Sequence, residues 1–110
     1  MRITVSHNKG KEEAMRIVDD ATDQMLRPVF SGLVHMSDFQ KQWNGSRLTF
    51  SLMAGMAALR VPIKGWILAT DTDITIDIDL PAFIEKLLPQ SVRSNVQAAV
   101  RGLLNKPQQD

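Results

Sequence analysis

The sequence predicts an α+β fold: an antiparallel sheet of about five strands with helices packed on one face, in the order β-α-β-β-β-β-α(α). Three observations predict it. Apolar and polar residues alternate from Leu48 to Leu52 and from Val61 to Leu80, which is the period of a half-buried strand. Turn residues at Asn44-Gly45 and at 70–73 divide those alternations into hairpins. Apolar residues recur every three to four positions from Ala14 to Met25 and from Val92 to Leu103, which is the period of an amphipathic helix.

Residues 2–7 read as the first strand, with Ile3 and Val5 on one face and Arg2, Thr4 and Ser6 on the other. Asn8-Lys9-Gly10 breaks it. Asn8 or Gly10 is placed to cap the helix that follows, and Glu12 and Glu13 fall in its first turn, where the helix dipole favours negative charge. Ala14, Ile17, Val18, Ala21 and Met25 form its apolar stripe, with Asp19, Asp20 and Asp23 off that stripe. Arg27-Pro28 is expected to end the helix near Leu26, because the residue before a proline avoids the α region. Residues 28–36 mix loop formers (Pro28, Ser31, Gly32) with apolar Val29, Phe30, Leu33 and Val34. They read as a connection laid over the edge of a core.

Asn44-Gly45 is a strong signal for a two-residue hairpin loop. It predicts pairing of Trp43 with Ser46, Lys41 with Leu48 and Phe39 with Phe50. Lys41 then shares the apolar face, so it must snorkel to an edge or a bulge must reset the alternation. A second hairpin over 59–80 turns at 70–73, with Ile67 opposite Ile76, Lys64 opposite Asp79 and Trp66 opposite Asp77 on the outer face. Pro62 removes a ladder donor, so this strand is expected to be an edge or irregular there. Pro81 suits a first helical position, Pro89 interrupts at 88–90, and Val92, Val96, Ala99, Val100 and Leu103 form a second stripe beginning near Ser91. Residues 1–105 thus read as one domain and 106–110 as a frayed tail.

With 13 Lys+Arg against 12 Asp+Glu, no bulk field draws the chain of 110 residues onto nucleic acid or anionic lipid. The absence of cysteine excludes disulfides, thiolate chemistry and sulfur-ligated zinc. No targeting signal opens the sequence, and the longest uncharged stretch, Leu48–Leu59, is too short at 12 residues to span a bilayer. A cytoplasmic protein with no transmembrane segment is the plain reading.

Candidate chemistry is sparse. Asp71, Asp73, Asp77 and Asp79 suggest a hard-cation site, but an EF-hand loop begun at Asp71 would need glycine at Ile76 and glutamate at Ala82. A solvated strand face, with all four on the outer side, is the simpler reading. His7 and His35 lie 28 residues apart outside any ligand spacing, and His7 more simply bonds backbone. No Gly-x-Ser-x-Gly elbow or phosphate-cradling glycine pattern occurs. No catalytic residue, metal site or cofactor is therefore assigned. Arg27, Lys41, Arg47, Arg60 and Lys64 make a basic stretch and 71–85 an acidic one, which predicts a basic and an acidic side. Nucleic acid is not expected, since only Trp43 and Trp66 could serve as stacking platforms. Met53–Leu59 is uncharged, apolar and methionine-containing, either a strand end and tight turn under the 27–38 connection or an exposed partner surface.

Three pieces together resemble a known pattern: Ile3-Thr4-Val5-Ser6-His7 with Gly10 and Glu12-Glu13-Ala14; Trp43-Asn44-Gly45-Ser46-Arg47-Leu48-Thr49-Phe50; and Ile63-Lys64-Gly65-Trp66-Ile67 with the Ile/Asp alternation into Leu80-Pro81. They resemble the polyhydroxyalkanoic acid system proteins, small bacterial proteins encoded near polyhydroxyalkanoate synthesis and granule-surface genes. The Arg27–Asp38 connection and the Met53–Ala58 insert depart from that pattern. The resemblance implies no catalytic residues. It implies a non-enzymatic accessory protein acting by surface contact with granules or their coat proteins; the uncharged apolar segment and the basic residues near it offer Met53, Met56, Leu59, Arg47, Arg60 and Trp66 for that contact. The alternative is a small module binding fatty acyl or hydroxyacyl ligands in a cavity lined by Phe50, Ile63, Ile67, Ile76 and Leu88. A homodimer through the Trp66 face or an edge strand is a further expectation.

Overall fold

A computed structural model describes residues 1–30, 35–56 and 58–105. Its elements are β1 (Arg2–Ser6), α1 (Lys11–Phe30), β2 (His35–Asn44), β3 (Arg47–Met56), β4 (Leu59–Ala69), β5 (Asp73–Asp79), α2 (Ala82–Leu87) and α3 (Val92–Leu104). The strands form one antiparallel sheet in the order β1-β5-β4-β3-β2. The four-strand meander therefore returns to β1, which pairs with β5 through Ile3↔Ile76 and Val5↔Ile74. Period-two burial assigns the faces: Ile3, Val5, Leu48, Phe50, Leu52, Ala54, Ile63, Ile67, Ile74, Ile76 and Ile78 are all buried on the inner one. Against it lie α1 and α3, which contact each other, β4 and β1. They contribute Ala14, Val18, Met25, Leu26 and Val29 from α1 and Val92, Val96, Val100 and Leu104 from α3 to one continuous core. At roughly 1.5–3 kcal/mol for each large side chain withdrawn from water, this burial is the dominant force holding helices to sheet.

Helix α1 does not stop near Leu26. It continues to Phe30 through Pro28 and departs from helical geometry at Ala21 (φ −129°, ψ 22°). An interior proline costs about 3 kcal/mol, but the turn it sits in buries Met25, Leu26 and Val29, which offsets that loss. Thr22 next to the kink turns its hydroxyl back onto the Val18 carbonyl, a bond that bends helices. The helix N-terminus is held both locally and from across the fold. Gly10 takes the N-cap position, its carbonyl accepting the Ala14 N–H at 3.0 Å, and the Lys11 N–H donates to Asp71 Oδ1 at 3.0 Å. His7 ties the same loops together: its backbone N–H donates to Thr72 O, its Nδ1 accepts the Lys9 N–H (3.1 Å), and its Nε2 therefore carries the proton given to Thr70 O (2.9 Å). The simpler reading of His7 as a backbone-bonding imidazole holds.

The first hairpin turns one residue later than Asn44-Gly45. Asn44 pairs with Arg47, so the loop is Gly45-Ser46, and the pairs are Trp43↔Leu48 and Lys41↔Phe50 rather than those expected. The reason lies in the backbone: Gly45 has φ +63° while Asn44 and Ser46 do not adopt positive φ. A single positive φ at the first loop position makes a II′ turn, which wants Gly-X. Lys41 remains on the inner side, and of the two expected remedies it takes the first: its ammonium reaches the edge to meet Asp19 (3.2 Å to Oδ1). A bulge occurs between Ser37 and Gln40, with Asp38 at φ +54°, but it precedes Lys41 and does not move it off this face. Phe39 still stacks on Phe50, with ring centroids 6.3 Å apart.

The β4–β5 register is as the sequence predicts: Ile67↔Ile76, Lys64↔Asp79 and Trp66↔Asp77. Pro62 lies where β4 has run past the end of β5, so β3 is its one neighbour there. Asp71 is in the turn, not on the strand, so Asp73, Asp77 and Asp79 alone share the outer face of β5. Pro81 occupies the position before α2 rather than its first turn. The chain breaks at Leu88, which is extended (φ −77°, ψ 139°), and α3 starts after Ser91, whose side chain makes no cap bond to it. Residues 31–34 of the connection and 106–110 of the tail lie outside the described residues.

Candidate functional site

With both long helices on the inner face, the outer face of the sheet is uncovered, and the strand registers fix its rows. One row runs Arg2–Asp77–Trp66–Thr49–Gln42, and the next Asp79–Lys64–Ser51–Gln40. Trp66 sits near the middle. The Arg47 guanidinium carbon is 4.6 Å from its ring centroid and that of Arg2 is 5.3 Å away, close enough for cation–π attraction on both. Arg2 is also held by Asp77 (Nε to Oδ2, 2.8 Å), and Ser6 donates to Asp73 (3.1 Å). Arg47, Lys64 and Asp79 form no ion pair among the described residues. Two open depressions, of about 360 and 550 Å³, meet at Lys64 and Gly65 on either side of β4.

The six candidate contact residues fall into two groups. Arg47 and Trp66 belong to the centre of the outer face. Met53 and Arg60 are on that face too, but beyond the end of β5, where Met53 pairs with Pro62 and Gly55 with Arg60. Met56 pairs with Leu59 at the β3–β4 turn, and Leu59 is 57% exposed. The Met56 side chain and residue Ala57 lie outside the described residues. The expectation of a strand end and tight turn holds, but Leu59 is not buried beneath another segment. Arg60 reaches across to Ser37 and Asp38, both at 2.9 Å, and so stiffens the bulge of β2.

The alternative site residues sit elsewhere. Phe50, Ile63, Ile67 and Ile76 are buried in the common core, and Leu88 packs partly buried against it. Gly65 allows Phe50 this position. A Cβ on Gly65 would lie 2.5 Å from Phe50 Cζ and 2.4 Å from the Asp77 carbonyl oxygen. Sequence reasoning gave this glycine no role, although a glycine in an unbroken strand alternation signals close approach. It also missed the Arg2–Trp66–Arg47 cluster, because Arg2 comes from the other end of the chain and reaches Trp66 only through the β1–β5 pairing.

Among the described residues, no group of three or more His, Asp or Glu side chains is gathered as metal ligands. Among the same residues, no helix is long and apolar enough to cross a membrane. The Asp19 carboxyl is held below its ordinary range, first by the Trp43 indole N–H (2.9 Å) and then by Lys41. This joins α1 to β2 and lies on the helix side, away from the uncovered face.

Compared with known proteins, residues 1–104 match the family model described as "Putative polyhydroxyalkanoic acid system protein". No curated protein and no solved structure matches the chain.

Proposed function

The chain belongs to the polyhydroxyalkanoic acid system protein family, and on that premise we propose that it is a non-enzymatic accessory protein of polyhydroxyalkanoate storage, acting by contact with the granule surface or its coat proteins. The observation that carries the reading is the β3–β4 turn. It runs past the end of β5 beyond Lys64↔Asp79 and presents Leu59 at 57% exposure at its tip, with Met53 further back on the outer face. Exposed apolar groups at a projecting turn cost nothing to desolvate against a polyester or an apolar protein groove, and methionine adapts its shape to either.

The test is co-sedimentation of the purified chain with polyhydroxyalkanoate granules. The wild type sediments with the granules, and Met53→Glu/Met56→Glu remains in the supernatant. Equal recovery of the two proteins contradicts the proposal. The same preparations distinguish the acyl-ligand alternative. Saturable thermal stabilisation by fatty acids, undiminished in the double variant, would place the function in the interior, since a ligand of the native state raises its stability.

A further inference from the structure

We propose that the uncovered sheet face is the contact between two copies of this chain, related by a two-fold axis lying along β4. The argument is the order of charge across the face. Asp73, Asp77 and Asp79 occupy β5, Lys64 occupies β4 and Arg47 occupies β3. An acidic strip, of which only Asp77 is compensated, by Arg2 of β1, thus lies on one side of β4 and a basic residue on the other. A uniformly charged ligand meets repulsion from one half of such a face. A second copy meets less: rotation about an axis along β4 exchanges the two sides, so β5 of one copy covers β3 of the other, and the one like pair this creates, Lys64 against its own twin on the axis, is flanked by both Asp79 side chains. Arg47 then faces the neighbourhood of Asp73 and Asp77 of its twin, and Lys64 gains a second Asp79.

The groups are available for it. Arg47, Lys64 and Asp79 have no ion-pair partner among the described residues. Trp66 and Leu68 stand half-buried on β4 itself, next to Lys64, so the axis passes beside two apolar side chains. Five strands at about 4.8 Å spacing and roughly seven residues of length give about 600 Å² per copy. The total, about 1,200 Å², is at the lower limit of stable interfaces, among the weak and reversible ones. The geometry also has a consequence for the proposed granule contact. An axis parallel to β4 leaves both β3–β4 turns at one end of the dimer, so the two Leu59 side chains can engage one surface together and multiply their hold on it.

Sedimentation velocity on the full chain from about 1 to 100 μM tests a weak, reversible pairing of this kind. The wild type dimerises and dissociates as salt rises, since screening weakens exposed charge pairs. Arg47→Glu/Lys64→Glu and Asp73→Lys/Asp79→Lys, each with wild-type circular dichroism, are monomers alone and form a mixed dimer when combined. Because the chain has no cysteine, Lys64→Cys supplies a second readout independent of the charge changes. It forms a disulfide-linked dimer under mild oxidation, and Ala98→Cys on α3 does not. A wild type that stays monomeric, a dimer unmoved by salt and by both charge reversals, a mixture that stays monomeric, or equal cross-linking at 64 and 98 each overturns the proposal. Granule binding is read at Met53 and Met56, so a monomer that still sediments with granules removes this inference and leaves the functional reading standing.

Discussion

Replacing Gly65 by alanine probes the tightest point in the sheet. The new methyl carbon would stand 2.4 Å from the Asp77 carbonyl oxygen, 2.5 Å from Phe50 Cζ and 2.9 Å from Phe50 Cε2. Ordinary contact needs about an ångström more. The Phe50 ring can tilt, but it is buried and stacked on Phe39, so movement opens a gap elsewhere. The Asp77 carbonyl cannot yield without shifting β5, which is held on both sides by β4 and β1. Overpacking of this kind costs about 1–3 kcal/mol. The loss of unfolded-state freedom from Gly to Ala returns about 0.4–1 kcal/mol. A net loss of about 1–2 kcal/mol follows, which lowers the melting temperature of a domain this size by roughly 5–15 °C. Urea unfolding followed by tryptophan fluorescence and circular dichroism measures it. Phe50→Leu in the Gly65→Ala background should recover only part of the loss, because the clash with the carbonyl remains. A Gly65→Ala protein as stable as the wild type would refute the close-approach argument.

Three further outcomes follow from the helix contacts. Asp19→Asn loses the charge that accepts from Trp43 and pairs with Lys41. Because the Asp19 carboxyl is held below its ordinary range, its contribution is present above about pH 4 and vanishes as pH falls through the depressed folded value. The melting temperatures of wild type and variant should therefore differ at pH 7 and converge on acidification; a constant gap would contradict this. Asp71→Ala removes the cross-fold cap on Lys11 and should cost about 1 kcal/mol, with faster hydrogen exchange confined to the first turn of α1; unchanged exchange there argues against the cap. Pro28→Ala restores a helical donor in a turn whose packing is already complete. It should raise stability by about 1–2 kcal/mol in thermal unfolding, and a loss would mean that the proline shapes the packing of Val29.

The parts of this fold that a sequence discloses are those governed by period and local turn chemistry. The inner face of β4 and β5, their register and the α3 stripe were all readable, because alternation admits one choice of face. What was not readable depended on competition between local signals and tertiary burial. The helix passes Pro28 because Val29 has a core to enter. The hairpin turns at Gly45-Ser46 because Gly45 alone takes positive φ and the bulge at Asp38 absorbs the mismatch with β3. Of the outer face, Trp66 opposite Asp77 was legible. Arg2 beside Trp66 was not, since the strand order β1-β5-β4 is a property of the whole sheet. The same holds for Asp71, which reads as a member of an aspartate run and serves as the cap of a helix 60 residues away in sequence.

The claim that the projecting β3–β4 turn is the contact surface is tested most directly by hydrogen–deuterium exchange of the wild-type chain, free and bound to polyhydroxyalkanoate granules. The account predicts slowed exchange on binding in peptides spanning 53–60, with α1 and α3 unchanged. Protection confined to α1 or α3, with residues 53–60 exchanging at the same rate in both states, would contradict it.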